Sequence, residues 1–240
     1  MERLVICLGA SIVRGLFGTN FVELLRERLS KEGYHFVNAG VGGDMAYNVL
    51  ARLHTVIAHE PDYVVILVGT NDVTATLHPR IAQMSVTRLG RRPHQRPSAE
   101  WYQKNMFQIT KLLKERTKAR IAIASLPILG EDLASLHNER VRAYNALLKE
   151  IAVQEQVTYL PVNERQEEYL REVQHTAGRP LEARDMLTLK LLLRHYLLRQ
   201  TFDEISKRNK FLLVTDGIHM NSRGAAMIAD QIEVFLRTIA

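Results

Sequence analysis

Four short segments of this 240-residue chain carry side chains that could do chemistry together. Asp216-Gly217-Ile218-His219 places a carboxylate three residues before an imidazole. A histidine acting as general base needs a group that orients its Nδ1–H while Nε2 faces a reacting hydroxyl, and an aspartate at this spacing on a curled loop can supply it. The same pair could instead merely cap the helix that follows. Gly9-Ala10-Ser11 offers a hydroxyl at the end of an apolar run, between small residues that permit a tight bend. It is not a Gly-x-Ser-x-Gly elbow, because Val13 stands where that pattern needs glycine. Gly69-Thr70-Asn71-Asp72 supplies an amide whose N–H donors do not titrate, which suits a developing oxyanion, although Asn-Asp is also ordinary turn chemistry. Asn38-Ala39-Gly40-Val41-Gly42-Gly43-Asp44 is a glycine cluster that lets backbone N–H groups approach a ligand or simply turns the chain. The spacing Gly-x-Gly-x-x-Gly of a dinucleotide loop is absent from it.

Three of these segments directly follow apolar, β-rich runs. Residues 4–8, 34–39, 63–68, 120–125 and 157–162 read as five strands alternating with helical patterns, which predicts an α/β fold with a parallel sheet covered on both faces. Such sheets place ligands beyond the carboxyl ends of their strands. Helices are expected over residues 21–30, with Asn20 and Glu23 at capping-box spacing, over 98–118 behind Ser98, over 139–155, and over 222–239 behind Asn221. Another helix begins near Met45. Residues 74–97 hold three prolines and a basic cluster and read as a long loop over a site.

Composition narrows the function classes. The hydrophobic fraction is 46%, the charged fraction 24% and the formal net charge +6, an ordinary globular balance. Cys7 is the one cysteine, so an intramolecular disulfide and thiolate-rich zinc sites are excluded. It alternates with apolar neighbours and reads as core. The remaining histidines, His35, His54, His59, His78, His94, His137, His175 and His195, show no metal-ligand spacing with carboxylates, so neither a metal nor another cofactor is expected. The positive charge is concentrated at residues 80–120, with eleven Lys or Arg against two Glu, but no aromatic interleaving or nucleic-acid motif accompanies it. A nucleic-acid partner is not expected. No uninterrupted apolar window of roughly 18 residues occurs, so no stable membrane insertion is expected, and the location expected is cytoplasmic.

Taken in order along the chain, the four segments resemble the motif blocks of the SGNH subgroup of the GDSL esterase/lipase family. The resemblance implies a three-layer α/β/α domain whose five parallel strands follow the flavodoxin-like order 2-1-3-4-5. It implies Ser11 as nucleophile, His219 as general base, Asp216 as the residue that fixes the imidazole tautomer, and an oxyanion hole made by Ser11 N–H, Gly43 N–H and the Asn71 side chain. Gly43 is selected over Gly40 and Gly42 because the family's position is the glycine just before the Asp, here Asp44. The implied activity is hydrolysis of a small-molecule carboxylic ester through an acyl-enzyme. Acyl transfer or thioester hydrolysis would use the same residues. The family usually has Asp just before the nucleophile; here Ala10 occupies that position, the one feature that favours a non-catalytic ligand- or partner-binding protein on the same fold.

Residues 1–240 are read as a single domain carrying a helical insertion at about 165–210. Within it, leucines at 187, 189, 191, 192, 193, 197 and 198 leave a helix over 186–202 with no wide polar face. A helix of that kind must be covered, by a second copy in a homodimer, by closing over an acyl chain as a lid, or by the parent domain. Trp101 and Tyr102 read as anchors of their helix, with a place in the site wall as the alternative.

Overall fold

The computed structural model describes residues 2–77, 95–176 and 191–238. Five parallel strands, β1 (Arg3–Gly9), β2 (Tyr34–Gly40), β3 (Tyr63–Leu67), β4 (Arg120–Ala124) and β5 (Thr158–Leu160), form one sheet in the order β2-β1-β3-β4-β5. All five expected strands are present, each within two residues of its expected bounds or shorter; β5 keeps only the three residues that reach the β4 ladder.

Strand alternation sorts the core into two layers. Val5, Cys7, Val65, Leu67, Ala122 and Ala124 point to one face, and Ile6, Leu8, Val64, Ile66, Ile121 and Ile123 to the other. Because both faces are covered, β3 is buried throughout, which is why it appears in sequence as an unbroken apolar run. The first face is covered by the helix Phe21–Leu29, the helix Val162–Glu172 and the final helix Ser222–Arg237. The second is covered by the helices Ala46–Ala51, Ala99–Arg116 and Leu136–Glu155. Cys7 is fully buried, and burial pushes its thiol up to about 12, so it is an inert core residue.

The expected caps at Ser98 and Asn221 are made: their side chains accept from Trp101 N–H and Gly224 N–H. Asn20 caps the helix Phe21–Leu29 through Val22 N–H, but Glu23 turns to Arg26 instead of completing a capping box. Two expectations need correction. Residues 74–77 are not loop: they finish the helix Thr70–Leu77, in which Thr74 Oγ1 donates to Thr70 O at 2.8 Å. The remainder of that expected loop, residues 78–94, lies outside the described residues, as do residues 177–190 of the expected insertion. Nor does one helix run through Phe202. The helical segment from Leu191 stops at Leu198, Arg199 takes φ +53°, and Thr201 starts the next helix, Phe202–Arg208, with a capping box to Glu204. Among the described residues no helix is long and apolar enough to cross a membrane.

Candidate active site

Ser11 opens the four-residue helix Ser11–Arg14 immediately after β1, half-buried at the carboxyl edge of the sheet. The first N–H groups of a helix have no acceptor within it, so Ser11 N–H stays available at this edge. β2 holds the turn from beside: Asn38 Nδ2 donates to Val13 O at 2.6 Å, and Asn38 Oδ1 accepts Gly40 N–H at 3.0 Å. Gly40 is consumed by this packing, since a Cβ there would lie 2.3 Å from Arg14 N and 2.8 Å from Ala10 O. Gly43, by contrast, turns the loop with φ +81°, a conformation that favours glycine, just ahead of Asp44. Ala10 is buried against the second core layer.

The catalytic loop candidate runs between Val214 and Met220, which pair as an antiparallel bridge. Thr215 N–H donates to His219 O at 2.8 Å across its neck. Inside the curl, Asp216 Oδ1 accepts the N–H groups of Ile218 and His219 at 3.0 and 2.9 Å, and Asp216 Oδ2 lies 2.9 Å from His219 Nδ1. His219 Nε2 in turn lies 2.9 Å from Ser11 Oγ. The three side chains named from sequence therefore form one continuous hydrogen-bonded relay. Burial by itself would raise the Asp216 carboxyl, but the His219 charge and hydrogen bond, joined by the two backbone donors, outweigh it and hold the group at about 2. It is an ionised carboxylate throughout the neutral range, suited to orient an imidazole and to stabilise it once protonated.

Asn71 sits in the first turn of Thr70–Leu77, and its Nδ2 donates to Asp44 O at 2.9 Å. That bond uses one of the two amide hydrogens and ties the Asn71 side chain to the residue after Gly43. The next residue, Asp72, is buried, and its carboxylate accepts Ala46 N–H at 3.1 Å. Burial lifts Asp72 to about 8, against the opposing pull of that backbone bond. A carboxyl raised above its unfolded value, about 4, contributes its stability fully below that value and loses it as pH climbs through the folded one. Asp72→Asn keeps an acceptor for Ala46 and removes the charge. We expect it to flatten the fall in stability between about pH 5 and about pH 8, measured by urea unfolding; parallel slopes in wild type and variant would contradict the assignment.

Two residues that sequence reasoning did not single out brace the site. Arg52 Nη2 donates to Gly9 O at 2.9 Å and Ala39 O at 3.0 Å, while its Nε donates to Asp44 at 2.8 Å, so one guanidinium joins the ends of β1 and β2 to the glycine loop. Glu131 is buried and accepts the N–H groups of Leu212, Leu213 and Val214 at 2.7–3.2 Å, with His175 2.7 Å away. It anchors the stem of the 214–220 loop, and Gly130 N–H adds a bond to Gly217 O at 2.7 Å. No local pattern marks either residue: the backbone partners of Glu131 lie 81 to 83 residues away, and Arg52 binds carbonyl groups at two strand ends. Trp101 stacks on Tyr47 with ring centroids 4.9 Å apart, while Tyr102 is fully buried and donates to Val68 O at 2.9 Å. Among the described residues no three His, Cys, Asp or Glu side chains converge as a metal site.

The chain is 28% identical over 145 residues to Esterase TesA of Pseudomonas aeruginosa, a match that spans 59% of this chain and 59% of that curated relative. Among solved structures it superposes on an acetyl xylan esterase with a TM-score of 0.70 at 19% identity, covering 97% of this chain and 99% of that one. An acetylxylan esterase from Geobacillus stearothermophilus gives a TM-score of 0.69 at 16% identity, with 99% and 95% covered. An α/β hydrolase from the metagenome of Lake Arreo, Spain, gives 0.66 at 18%, with 98% and 95% covered. At these identities the structural likeness is one of fold. Residues 7–227, which contain all four motif segments, match the GDSL-like lipase/acylhydrolase family, and the chain belongs to that family.

Proposed function

We propose that this protein hydrolyses small-molecule carboxylic esters through an acyl-enzyme on Ser11. The observation that carries the reading is the relay from Ser11 Oγ to His219 Nε2 and from His219 Nδ1 to Asp216, both links at 2.9 Å. Ser11 Oγ attacks the ester carbonyl carbon as His219 Nε2 takes its proton, and the carbonyl oxygen becomes the oxyanion. Ser11 N–H, Gly43 N–H and the second Asn71 amide hydrogen are its donors. Collapse breaks the bond to the alcohol, whose oxygen receives the proton from His219. Water then repeats the sequence in reverse roles, releasing the acid and restoring Ser11.

Asn71→Ala removes one oxyanion donor and is expected to lower kcat about 10²–10³-fold with little change in KM. The direct test of the whole reading is turnover of p-nitrophenyl esters together with mapping of a fluorophosphonate adduct. Turnover with the adduct on Ser11 is the expected result; neither turnover nor adduct would support a binding protein on this fold. Acyl transfer and thioester hydrolysis are separated by offering alcohol acceptors and thioester substrates to the same preparation.

A homodimer contact through the 191–198 segment belongs to the same proposal. Leu191 is buried, whereas Leu193, Tyr196, Leu197 and Leu198 are exposed by half or more, which favours a second copy over packing on the parent domain. A dimer by sizing that becomes a monomer in Leu197→Glu is expected; a monomeric wild type removes the idea.

A further inference from the structure

We infer that Phe17 selects the alcohol part of the substrate, favouring esters of apolar, aryl or alkyl alcohols; the inference rests on the acyl-enzyme reading above. Phe17 has φ +58°, a left-handed conformation that a bulky residue adopts only when its surroundings force it, and such outliers gather at functional sites. The forcing contacts come from the loop that carries the base. Phe17 O accepts the Thr215 hydroxyl at 2.6 Å, and two residues on Thr19 N–H donates to Met220 O at 2.8 Å. Held between these bonds, the partly buried Phe17 ring lies against the His219 imidazole, centroids 5.1 Å apart and planes at 68°. The preceding residue goes the other way: a Cβ at Gly42 would lie 2.8 Å from Leu16 Cδ1, so Leu16 overlies the glycine loop.

The direction matters because the two halves of an ester leave on different sides. The departing alcohol oxygen must sit within hydrogen-bond reach of His219 Nε2 to be protonated, whereas the acyl carbonyl points to the oxyanion donors. Phe17 is on the side of the base. The carbon attached to the departing oxygen therefore meets the Phe17 ring, which rewards apolar contact and aromatic stacking there and leaves the acyl group untouched.

The test uses esters that share one acyl group. Ethyl acetate and benzyl acetate form the same acetyl-enzyme, so the ratio of their kcat/KM values reports the alcohol alone. Phe17→Ala should lower the benzyl-to-ethyl preference about tenfold relative to wild type and Phe17→Leu by less, while the ratio of benzyl butyrate to benzyl acetate stays within about twofold. An unchanged alcohol ratio, or a shift in the acyl ratio instead, overturns the inference. Fluorophosphonate labelling of Ser11 reports whether each variant keeps its relay; if both variants lose labelling, Phe17 is a structural residue and the inference fails. Failure of the acyl-enzyme reading is distinguishable, because it would show in wild type as no turnover and no adduct.

Discussion

Replacing Ser11 by alanine, or His219 by alanine, should lower kcat for ester turnover by roughly 10⁶, and combining the two should cost almost nothing more. The near-zero second penalty is the sharper half of the expectation. Ser11 Oγ and His219 Nε2 are joined by one 2.9 Å bond; in the proposed mechanism they act on one proton, so removing either member disables the same step. The proposed oxyanion donors are backbone groups and Asn71, which both substitutions leave in place. A residual rate above the uncatalysed reaction is therefore expected in all three variants. Steady-state rates on a p-nitrophenyl ester, with the double variant compared with each single, decide the matter. Additive losses would mean that serine and histidine act in separate steps.

The second large effect is expected at Asp216→Asn, with kcat lowered about 10⁴-fold and KM little changed. An amide oxygen at this position can still accept the Ile218 and His219 N–H groups, so the curl of the loop survives. The amide nitrogen, however, would face His219 Nδ1 and donate to it. That bond selects the tautomer with hydrogen on Nε2, which presents a donor to Ser11 where a proton acceptor is needed. Thermal unfolding near neutral pH should confirm a folded variant, while fluorophosphonate labelling slows with turnover. The wild-type carboxyl, held at about 2, also defines a stability window. Its folded value is depressed, so its contribution is present above the unfolded value of about 4 and is lost as pH falls through the folded one. Variant and wild type should converge in relative stability at the acid end. Persistence of the full difference in strong acid would show that charge is not its source.

How much of this was legible in the sequence follows from which interactions are local. Strands buried on both faces must be apolar at successive positions, so β1 and β3 were plain, and the segments after them drew attention by ending apolar runs in small or polar residues. The strand order came from the family resemblance and agrees with the sheet. The Asp216 curl was readable because its bonds close over three residues. Glu131 was not, since its donors lie 81 to 83 residues away and nothing near it in sequence distinguishes it from a surface carboxylate. Arg52 is illegible for the same reason, its acceptors being carbonyl groups of two strand ends. Phe17 carries no signal because left-handed backbone is anticipated at glycine, and the bonds that impose it come from the other end of the chain. The error at 186–202 is different in kind. Thr201 and Glu204 stand at capping-box spacing and mark a new helix start, a signal that the run of leucines obscured.

The bond between Ser11 and His219 joins residues 208 positions apart, so it closes a loop containing most of the chain. Loop-closure entropy of that order is not recovered by the bond itself; it is recovered by the sheet and the two helical layers that bring the ends together. The site consequently has no existence in any half of the polypeptide. Contacts so remote in sequence form late, after the local helices and the neighbouring strand pairs. Ester turnover in a refolding chain is therefore expected to lag behind the return of secondary structure, as a measure of completed topology.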